Sequence, residues 1–287
     1  MRRRRTNMKR KQLIGRIVYH VVIMGFAYVM IYPILWMFFA SFKDNMEIFA
    51  DASKLWPEHF DFGNYARGWA GFSGYTFGTF FKNSAVISVI STAATVFSSA
   101  IIAYGFARVK FKFQKFWFAV MISTMMLPIQ IIMVPQFIIF HKLNMVGTIL
   151  PVVLPHFFGV PFFIFLMMQF IQGVPRDLDE AAKIDGCSKY AIFYKIILPL
   201  MKPALVTATI FQFYWKWDDF LGPLLYLNKP EKYTATLALR LFADPGSTVP
   251  WGEMLSMATL SIVPIVLIFL IFQKYLVEGI STSGLKG

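Results

Sequence analysis

Long apolar stretches, separated by shorter polar stretches, run through most of this sequence. An α-helix needs about 20 mostly apolar residues to cross the hydrocarbon core of a bilayer. Six stretches meet that requirement, and most charged residues fall between them. The pattern predicts an all-α, polytopic membrane protein with six transmembrane helices. These are expected at residues 17–40, 83–107, 116–140, 148–172, 204–227 and 255–277.

Composition supports the membrane assignment and removes several functional classes. The chain is 57% hydrophobic and 15% charged, whereas a typical soluble domain is about 25% charged. The single cysteine excludes a disulfide framework, and the four histidines have no metal-ligand spacing. No phosphate-binding G-x-x-x-x-G-K-[ST] loop, H-E-x-x-H motif or catalytic triad pattern is present. We expect no enzyme activity, no metal and no cofactor in this chain, and no reactive constellation supports a membrane enzyme.

The net charge of +13 is distributed unevenly along the chain. A basic chain can bind nucleic acid, but in a membrane protein Lys and Arg collect in cytoplasmic loops. Of the 28 basic residues, 19 fall in alternate segments that would face the cytoplasm and 8 in the remaining loops. The distribution predicts a multi-pass protein of the cytoplasmic membrane with both termini inside, contacting lipid and no nucleic acid.

These patterns divide the chain into consecutive segments. We predict a basic cytoplasmic N-terminus, one transmembrane helix, an external loop, a core of five helices and a cytoplasmic tail. Their bounds are 1–16, 17–40, 41–74, 75–280 and 281–287, and the core contains a cytoplasmic loop at 173–203.

The predicted spans differ in the residues that interrupt their apolar character. Ser, Thr and Ala are frequent in the second span, which suits either a pore-lining helix or close helix packing. Prolines in the third and fourth spans predict bent or irregular helices inside the bundle.

Charged residues inside the fifth span indicate a functional site by default. Lys216 and Asp219 are spaced to pair on one helix face. A structural ion pair, or a helix end at the water interface, explains the same charges equally well. Aromatic rings beside carboxylates suit sugars, so the candidate translocation path comprises Gln212, Trp215, Asp218 and Asp219.

The loop at 173–203 is predicted to form a helix–turn–helix. Leu178, Ala181, Ala182 and Cys187 fall near one helical face, and Asp177, Asp179, Glu180 and Lys183 fall largely on the other. Gly186 permits a sharp turn, and Ser188 is expected to cap a second helix, Lys189 to Ile197. Pro199 and Pro203 are expected to end that helix.

The spacing within this loop resembles that of a known family. Glu180-Ala181-Ala182, three residues, Gly186, nine residues, and then Ile196-x-Leu198-Pro199 match the signature loop of the membrane subunits of bacterial ATP-binding-cassette importers that use a solute-binding protein. Cys187 stands where alanine is common. The fifth-span pattern W-x-W-D-D-F-x-x-P-L and the C-terminal Gly284–Gly287 resemble the carbohydrate-uptake branch, in particular its second maltose-type permease subunit. The resemblance covers about residues 75–287.

This resemblance implies a type I importer permease fold and a set of partners. These are a second homologous permease subunit, two ATPase subunits that bind ATP and Mg, and an extracytoplasmic solute-binding protein. It implies that Glu180 to Gly186 forms a coupling helix in a cleft of the ATPase, and that the loop 228–254 reaches the binding protein, with Trp251 the candidate contact. The ATPase-coupling residues would be Glu180, Ala181, Ala182, Asp185, Gly186, Leu198 and Pro199.

The expected function is ATP-driven import of a sugar, most simply an oligosaccharide. Two alternatives are open from the sequence. One is a secondary, ion-coupled transporter that uses Lys216, Asp218 and Asp219 as a proton site. The other is a permease of the same family for a different solute, such as a glycerol phosphate.

Overall fold

The computed structural model describes residues 2–242 and 249–284 of the chain, with side chains for 12–242 and 249–275. Within these residues every regular element is helical, and an isolated β-bridge joins Phe72 and Tyr75. The predicted loop 228–254 and tail 281–287 therefore lie partly outside the described residues, as does most of the C-terminal Gly284–Gly287 motif.

The helices fall into long apolar segments and short connecting ones. In chain order they are α1 (Arg2–Ala40), α2 (Asn45–Ala50), α3 (Gly63–Ala70), α4 (Phe77–Arg108), α5 (Gln114–Met125), α6 (Ile129–Lys142), α7 (Leu150–Val153), a 3-10 helix (Leu154–Phe158), α8 (Pro161–Gln172), α9 (Asp177–Ile184), α10 (Lys189–Ile192), a π-helix (Phe193–Ile197), α11 (Leu198–Leu200), α12 (Lys202–Trp217), α13 (Leu221–Tyr226), a 3-10 helix (Pro230–Lys232), α14 (Ala235–Phe242) and α15 (Trp251–Gly284).

The number of apolar segments agrees with the predicted six spans. Four segments are long and apolar enough to cross a membrane, at Gln12–Ala40, Phe77–Arg108, Leu150–Gln172 and Trp251–Tyr275. Two further spans result if each of two bent helix pairs counts as one. The pair α5 and α6 bends by 101°, and the pair Lys189–Leu200 and Lys202–Trp217 bends by 74°.

The bends lie where the sequence removes or strains backbone hydrogen bonds. Pro128 precedes α6 and cannot donate a backbone hydrogen bond, which ends α5 near Met126. The fourth span changes to a 3-10 helix over Leu154–Phe158 and breaks at Gly159, which has φ +83°. The irregularity expected of the third and fourth spans is confirmed. The interior position expected of the third span is not found within this chain, because α5 has no buried residue and Phe140 is the one buried residue of α6. The fifth span ends sooner than expected, because α12 stops at Trp217 and α13 begins at Leu221.

The chain divides into two compact units. The first unit comprises Met1–Trp69 and Phe242–Leu260. Its apolar cluster is formed by Ala40, Ile48 and Leu255. Buried Asn64 donates from Nδ2 to the carbonyl oxygens of Ser41 and Lys43, at 3.0 and 2.9 Å. These bonds satisfy the backbone where α1 ends.

The second unit comprises Ala70–Leu241 and Ser261–Gly287. At its centre α4 packs along α8 and α12. Alanines line the C-terminal half of α4 and let larger side chains of α8 approach it, as small residues do in membrane helix packing. The same apolar cluster includes Ala182, Ile192 and Ile197. The loop at 173–203 is therefore part of this core.

Serine hydroxyl groups of α4 form hydrogen bonds with backbone groups at the break in the fourth span. Ser98 Oγ donates to the His156 carbonyl oxygen at 3.1 Å, and Ser99 Oγ accepts from the Val160 backbone nitrogen at 3.1 Å. Backbone groups freed by a break need such partners inside a membrane. For these two residues the Ser-rich pattern of the second span serves helix packing and backbone satisfaction.

Candidate functional site

The helix–turn–helix predicted at 173–203 is present, and two of its local features are confirmed. Gly186 follows α9 with φ +80°, in the left-handed region that glycine adopts without steric cost. Ser188 Oγ accepts from the Ala191 backbone nitrogen at 3.2 Å, which caps α10. We use the name coupling loop for residues 173–203 from here on.

The predicted division of faces on α9 is wrong. Asp179 and Ala182, three residues apart, are its buried side chains. Leu178 and Ala181 face outward, and Ile184 is 86% exposed. The buried side accommodates a carboxylate because a buried arginine stands opposite it. The exposed side carries an apolar strip of Leu178, Ala181 and Ile184.

Two other expectations for the coupling loop need correction. The first helix runs from Asp177 to Ile184, so it begins before Glu180. The second runs through the π-helix to Ile197, continues beyond it as α11, and ends at Leu200. Pro199 does not stop it, since a proline at the start of α11 loses only one backbone donor. Pro203 lies in the first turn of α12, after the 74° bend.

A buried ion pair joins the coupling loop to α4, and the sequence reading missed it. Arg108 Nε lies 3.0 Å from Asp179 Oδ2, and the two side chains are 4% and 9% exposed. Arg108 Nη2 also donates to the Val174 carbonyl oxygen at 2.6 Å. The charge pattern alone places Arg108 among the 19 basic residues of the predicted cytoplasmic segments. Two features of the sequence could have indicated this pair. Arg108 ends an apolar span, and Asp179 directly precedes the Glu-Ala-Ala triplet.

The predicted coupling residues fall into exposed and packed groups. Glu180, Ala181, Asp185, Gly186 and Pro199 are exposed, whereas Ala182 is buried and Leu198 is partly buried. Asp177, Asp179 and Glu180 occupy the first turn of α9, where negative charge favours the helix dipole. Four of the exposed members, Glu180, Ala181, Asp185 and Gly186, lie on or directly after α9, the helix that carries the apolar strip.

The charges of the fifth span lie at a helix end. Lys216 Nζ donates to Asp219 Oδ2 at 2.7 Å, so the predicted pair is confirmed. Asp219 Oδ1 also accepts from the Gly222 backbone nitrogen at 3.1 Å, which fixes the start of α13. Asp218 is the exposed C-terminal cap of α12. These contacts support the structural explanation that the sequence left open.

A buried polar cluster lies one turn deeper in α12. Gln212 is 2% exposed, and its Nε2 lies 3.2 Å from His156 Nδ1. Thr95 Oγ1 of α4 lies 3.1 Å from the same nitrogen. In the sequence, His156 is one of four scattered histidines without metal-ligand spacing. Its position between two prolines of a predicted span was the available signal.

Trp215 and Trp251 occupy different surroundings. Trp215 is 43% exposed, and its ring contacts the rings of Phe162, Phe163 and Phe211. Trp251 begins α15, is partly buried and packs edge-on against Phe49 at 5.7 Å between centroids.

Among the described residues, no group of three or more His, Cys, Asp or Glu side chains is arranged to hold a metal.

The sequence of this chain matches a known family of membrane transport proteins. Residues 96–282, more than half of the chain, match the family described as binding-protein-dependent transport system inner membrane component. This chain belongs to that family. The match begins within α4 and contains the whole coupling loop, the polar end of α12 and most of α15, so this transport component carries its candidate sites within the family region.

Relatives of this transport component match it along most of its length. The "Probable ABC transporter permease protein YurM" of Bacillus subtilis is 32% identical over 97% of this chain and 91% of its own. The "Arabinooligosaccharides transport system permease protein AraQ" of the same organism is 33% identical over 95% of this chain and 96% of its own.

A solved structure has the same fold as this transport component. One chain of a bacterial ABC transporter "involved in the import of the acidic polysaccharide alginate" matches with a TM-score of 0.80 at 21% identity, over 92% of this chain and 96% of that chain. The predicted importer-permease fold is confirmed by this match. The family assignment and the relatives described as ABC transporter permeases favour the ATP-driven function over the ion-coupled alternative.

Proposed function

We propose that this chain is one permease subunit of an ATP-driven importer of oligosaccharides. The observation that carries the substrate class is the 33% identity with the arabinooligosaccharide permease AraQ over 95% of the chain. The "Galactooligosaccharides transport system permease protein GanQ" of Bacillus subtilis, 28% identical over 98% of the chain, supports the same class. The alternative, a glycerol phosphate permease of the same family, predicts uptake of glycerol phosphate and none of the oligosaccharides in the uptake test described below.

The coupling loop is the docking surface for the ATPase subunits in this proposal. Its apolar strip of Leu178, Ala181 and Ile184 is exposed, and Tyr190 beyond the turn is 79% exposed. An amphipathic helix lays such a strip into a groove of a partner protein. Glu180 and Asp185, both exposed, flank the strip with negative charge. ATP and Mg would be bound entirely by the ATPase subunits.

Two substitutions test this docking surface directly. Ile184→Glu places a charge on the strip, and we expect the amount of ATPase that copurifies with the permease to fall at least severalfold. Phe62→Glu is the matched control, because Phe62 is 69% exposed in the predicted external loop. Equal recovery of ATPase with both variants would contradict the proposal that the coupling loop is the docking surface.

The remaining partners and the orientation follow from the same proposal. A second permease subunit would complete the translocation path, to which Gln212, Trp215, Asp218 and Asp219 are assigned. A solute-binding protein would deliver sugar from outside and contact the loop 228–254, including Trp251. Both termini lie in the cytoplasm. Reporter fusions at each terminus and in the loop 41–74 test this orientation.

Uptake of defined sugars tests the substrate class. Cells that express the complete transporter are supplied separately with arabinose oligosaccharides, galactose oligosaccharides, the corresponding monosaccharides and glycerol phosphate. We expect uptake of at least one oligosaccharide and none of glycerol phosphate, with uptake lost when ATP is depleted. Uptake of glycerol phosphate alone, or uptake that an ionophore abolishes while ATP persists, would contradict the proposal.

A further inference from the structure

We propose that Tyr104, Arg108 and Asp179 form a clamp that makes α4 move together with the coupling loop. This inference rests on the proposed function and adds the route by which ATPase motion reaches the rest of the second unit. The loop clamp, as we name these three residues, holds both arms of the helix–turn–helix from one face of α4.

The arm before the turn is held by charge. Arg108 Nε lies 3.0 Å from Asp179 Oδ2, in side chains that are 4% and 9% exposed. Arg108 Nη2 donates to the Val174 carbonyl oxygen at 2.6 Å. Separating two buried charges is unfavourable, because each would lose its counterion without regaining water. The pair therefore resists relative displacement of α9 and α4.

The arm after the turn is held by an uncharged contact. Tyr104 Oη donates to the Lys189 carbonyl oxygen at 3.1 Å, and its ring lies 5.1 Å from that of Phe193. Tyr104 precedes Arg108 by four residues, so both lie on one face of α4. The two contacts on α4 thus bracket the Gly186 turn.

The covalent route out of the coupling loop is less direct. The helical segment that ends at Leu200 meets α12 at 74°, with only Met201 between them. A bend at a break between helices can absorb rotation. Motion of the loop would reach α12 through this bend, whereas it reaches α4 through contacts on both arms.

From the clamp, α4 leads to the other candidate sites of the second unit. It is one continuous helix of 32 residues, which corresponds to about 48 Å at 1.5 Å per residue. Along it, Thr95 contacts His156 in the buried polar cluster. At its far end, Asn83 Nδ2 donates to the carbonyl oxygens of Glu231 and Tyr233. A rigid displacement of α4 would therefore reach both places.

The Arg108–Asp179 pair could also adopt a second hydrogen-bonding geometry. A guanidinium and a carboxylate can form two parallel hydrogen bonds. In this structure neither Asp179 Oδ1 nor Arg108 Nε makes a hydrogen bond among the described residues, so the 3.0 Å contact is an ion pair without hydrogen-bond alignment. A small rotation of Arg108 would allow contact with both carboxylate oxygens without separating the charges.

The test measures sugar imported per ATP hydrolysed by the complete transporter in proteoliposomes. The probe is a labelled mixture of arabinose and galactose oligosaccharides. Asp179→Asn and Arg108→Lys are compared with wild type, and we expect the ratio to fall about tenfold, within the range of allosteric couplings. Tyr104→Phe removes one hydroxyl and should lower the ratio by a smaller factor.

A double variant separates coupling from stability. Arg108→Met with Asp179→Leu replaces the pair by apolar side chains, a change that commonly preserves folding. We expect this variant to assemble and hydrolyse ATP while its ratio stays low. A wild-type ratio in the double variant, or in every single variant that assembles, would overturn the clamp. If the wild-type transporter imports none of the probe, the proposed function fails instead.

Discussion

The second unit contains two ion pairs that look alike in composition and differ in what they join. Lys216 and Asp219 lie three residues apart, at a helix end, with side chains 13% and 21% exposed. Arg108 and Asp179 lie in different helices, with side chains 4% and 9% exposed. The first pair fixes one turn of the chain, and the second fixes α9 to α4.

The Lys216–Asp219 pair is therefore a local contact, whereas the Arg108–Asp179 pair connects two helices. The Lys216–Asp219 pair holds the junction between α12 and α13, where Asp219 also accepts from Gly222. Its loss would disturb that junction. The Arg108–Asp179 pair is buried, and Ala107 and Ala182 of the apolar cluster are near it in the same helices, so the loss of one member leaves a buried charge without its counterion. We therefore expect the connecting pair to dominate stability and coupling.

The largest effect on stability is expected from Asp179→Asn. Removing one member of a buried pair costs about 3 kcal/mol, because the remaining charge stays desolvated. The measurement is the free energy of unfolding of the purified permease in detergent, compared with the double variant Arg108→Met with Asp179→Leu. That double variant should unfold closer to wild type. Equal losses in the single and double variants would mean that shape, not charge, stabilises this site.

A smaller effect is expected from Lys216→Met. The pair it breaks is partly exposed and local, so the free energy of unfolding should fall by about 1 kcal/mol. Asp219→Ala should cost more than Lys216→Met, since it also removes the acceptor for the Gly222 backbone nitrogen. A loss at Lys216 as large as that at Asp179 would remove the distinction between the two pairs.

The smallest effect is expected from an exposed pair in the first unit. The Arg67 guanidinium, together with the Gly63 backbone nitrogen, holds the pKa of the Asp61 carboxyl below its ordinary value. A lowered pKa means that the contribution is present above the unfolded carboxyl pKa of about 4 and is lost as pH falls through the lower folded pKa. Solvent screens this pair, whose side chains are 53% and 42% exposed.

Unfolding of wild type and Asp61→Asn at several pH values checks this sign. The difference between them should be largest at neutral pH, shrink as pH falls below 4 and shrink with added salt. A difference that grows on acidification would contradict the lowered pKa.

Local chemistry made part of this structure predictable from the sequence. The Gly186 turn, the Ser188 cap and the Lys216–Asp219 pair each depend on residues within four positions of one another. Propensity and helical periodicity determine such features. The six apolar spans follow from length and hydropathy in the same way.

Contacts between distant segments were not predictable by those rules. The sequence pattern groups Asp179 with the charged face of α9, because periodicity alone places a charge with other charges unless its partner is known. The surroundings of His156 are not predictable from its sequence neighbours, because Thr95 and Gln212 belong to other helices. The bends of 101° and 74° depend on packing around the breaks, although prolines and Gly159 marked where irregularity would occur.

Gly186→Leu in the complete reconstituted transporter tests whether the turn of the coupling loop transmits motion from the ATPase. The φ of +80° is strained for a side chain with a branched apolar group, and no neighbouring atom would meet an added Cβ, so the change alters the turn without a clash. We predict that ATP hydrolysis continues while sugar import falls at least about tenfold, in the range of allosteric couplings. Import coupled normally to hydrolysis in this variant would contradict the central role of the coupling loop.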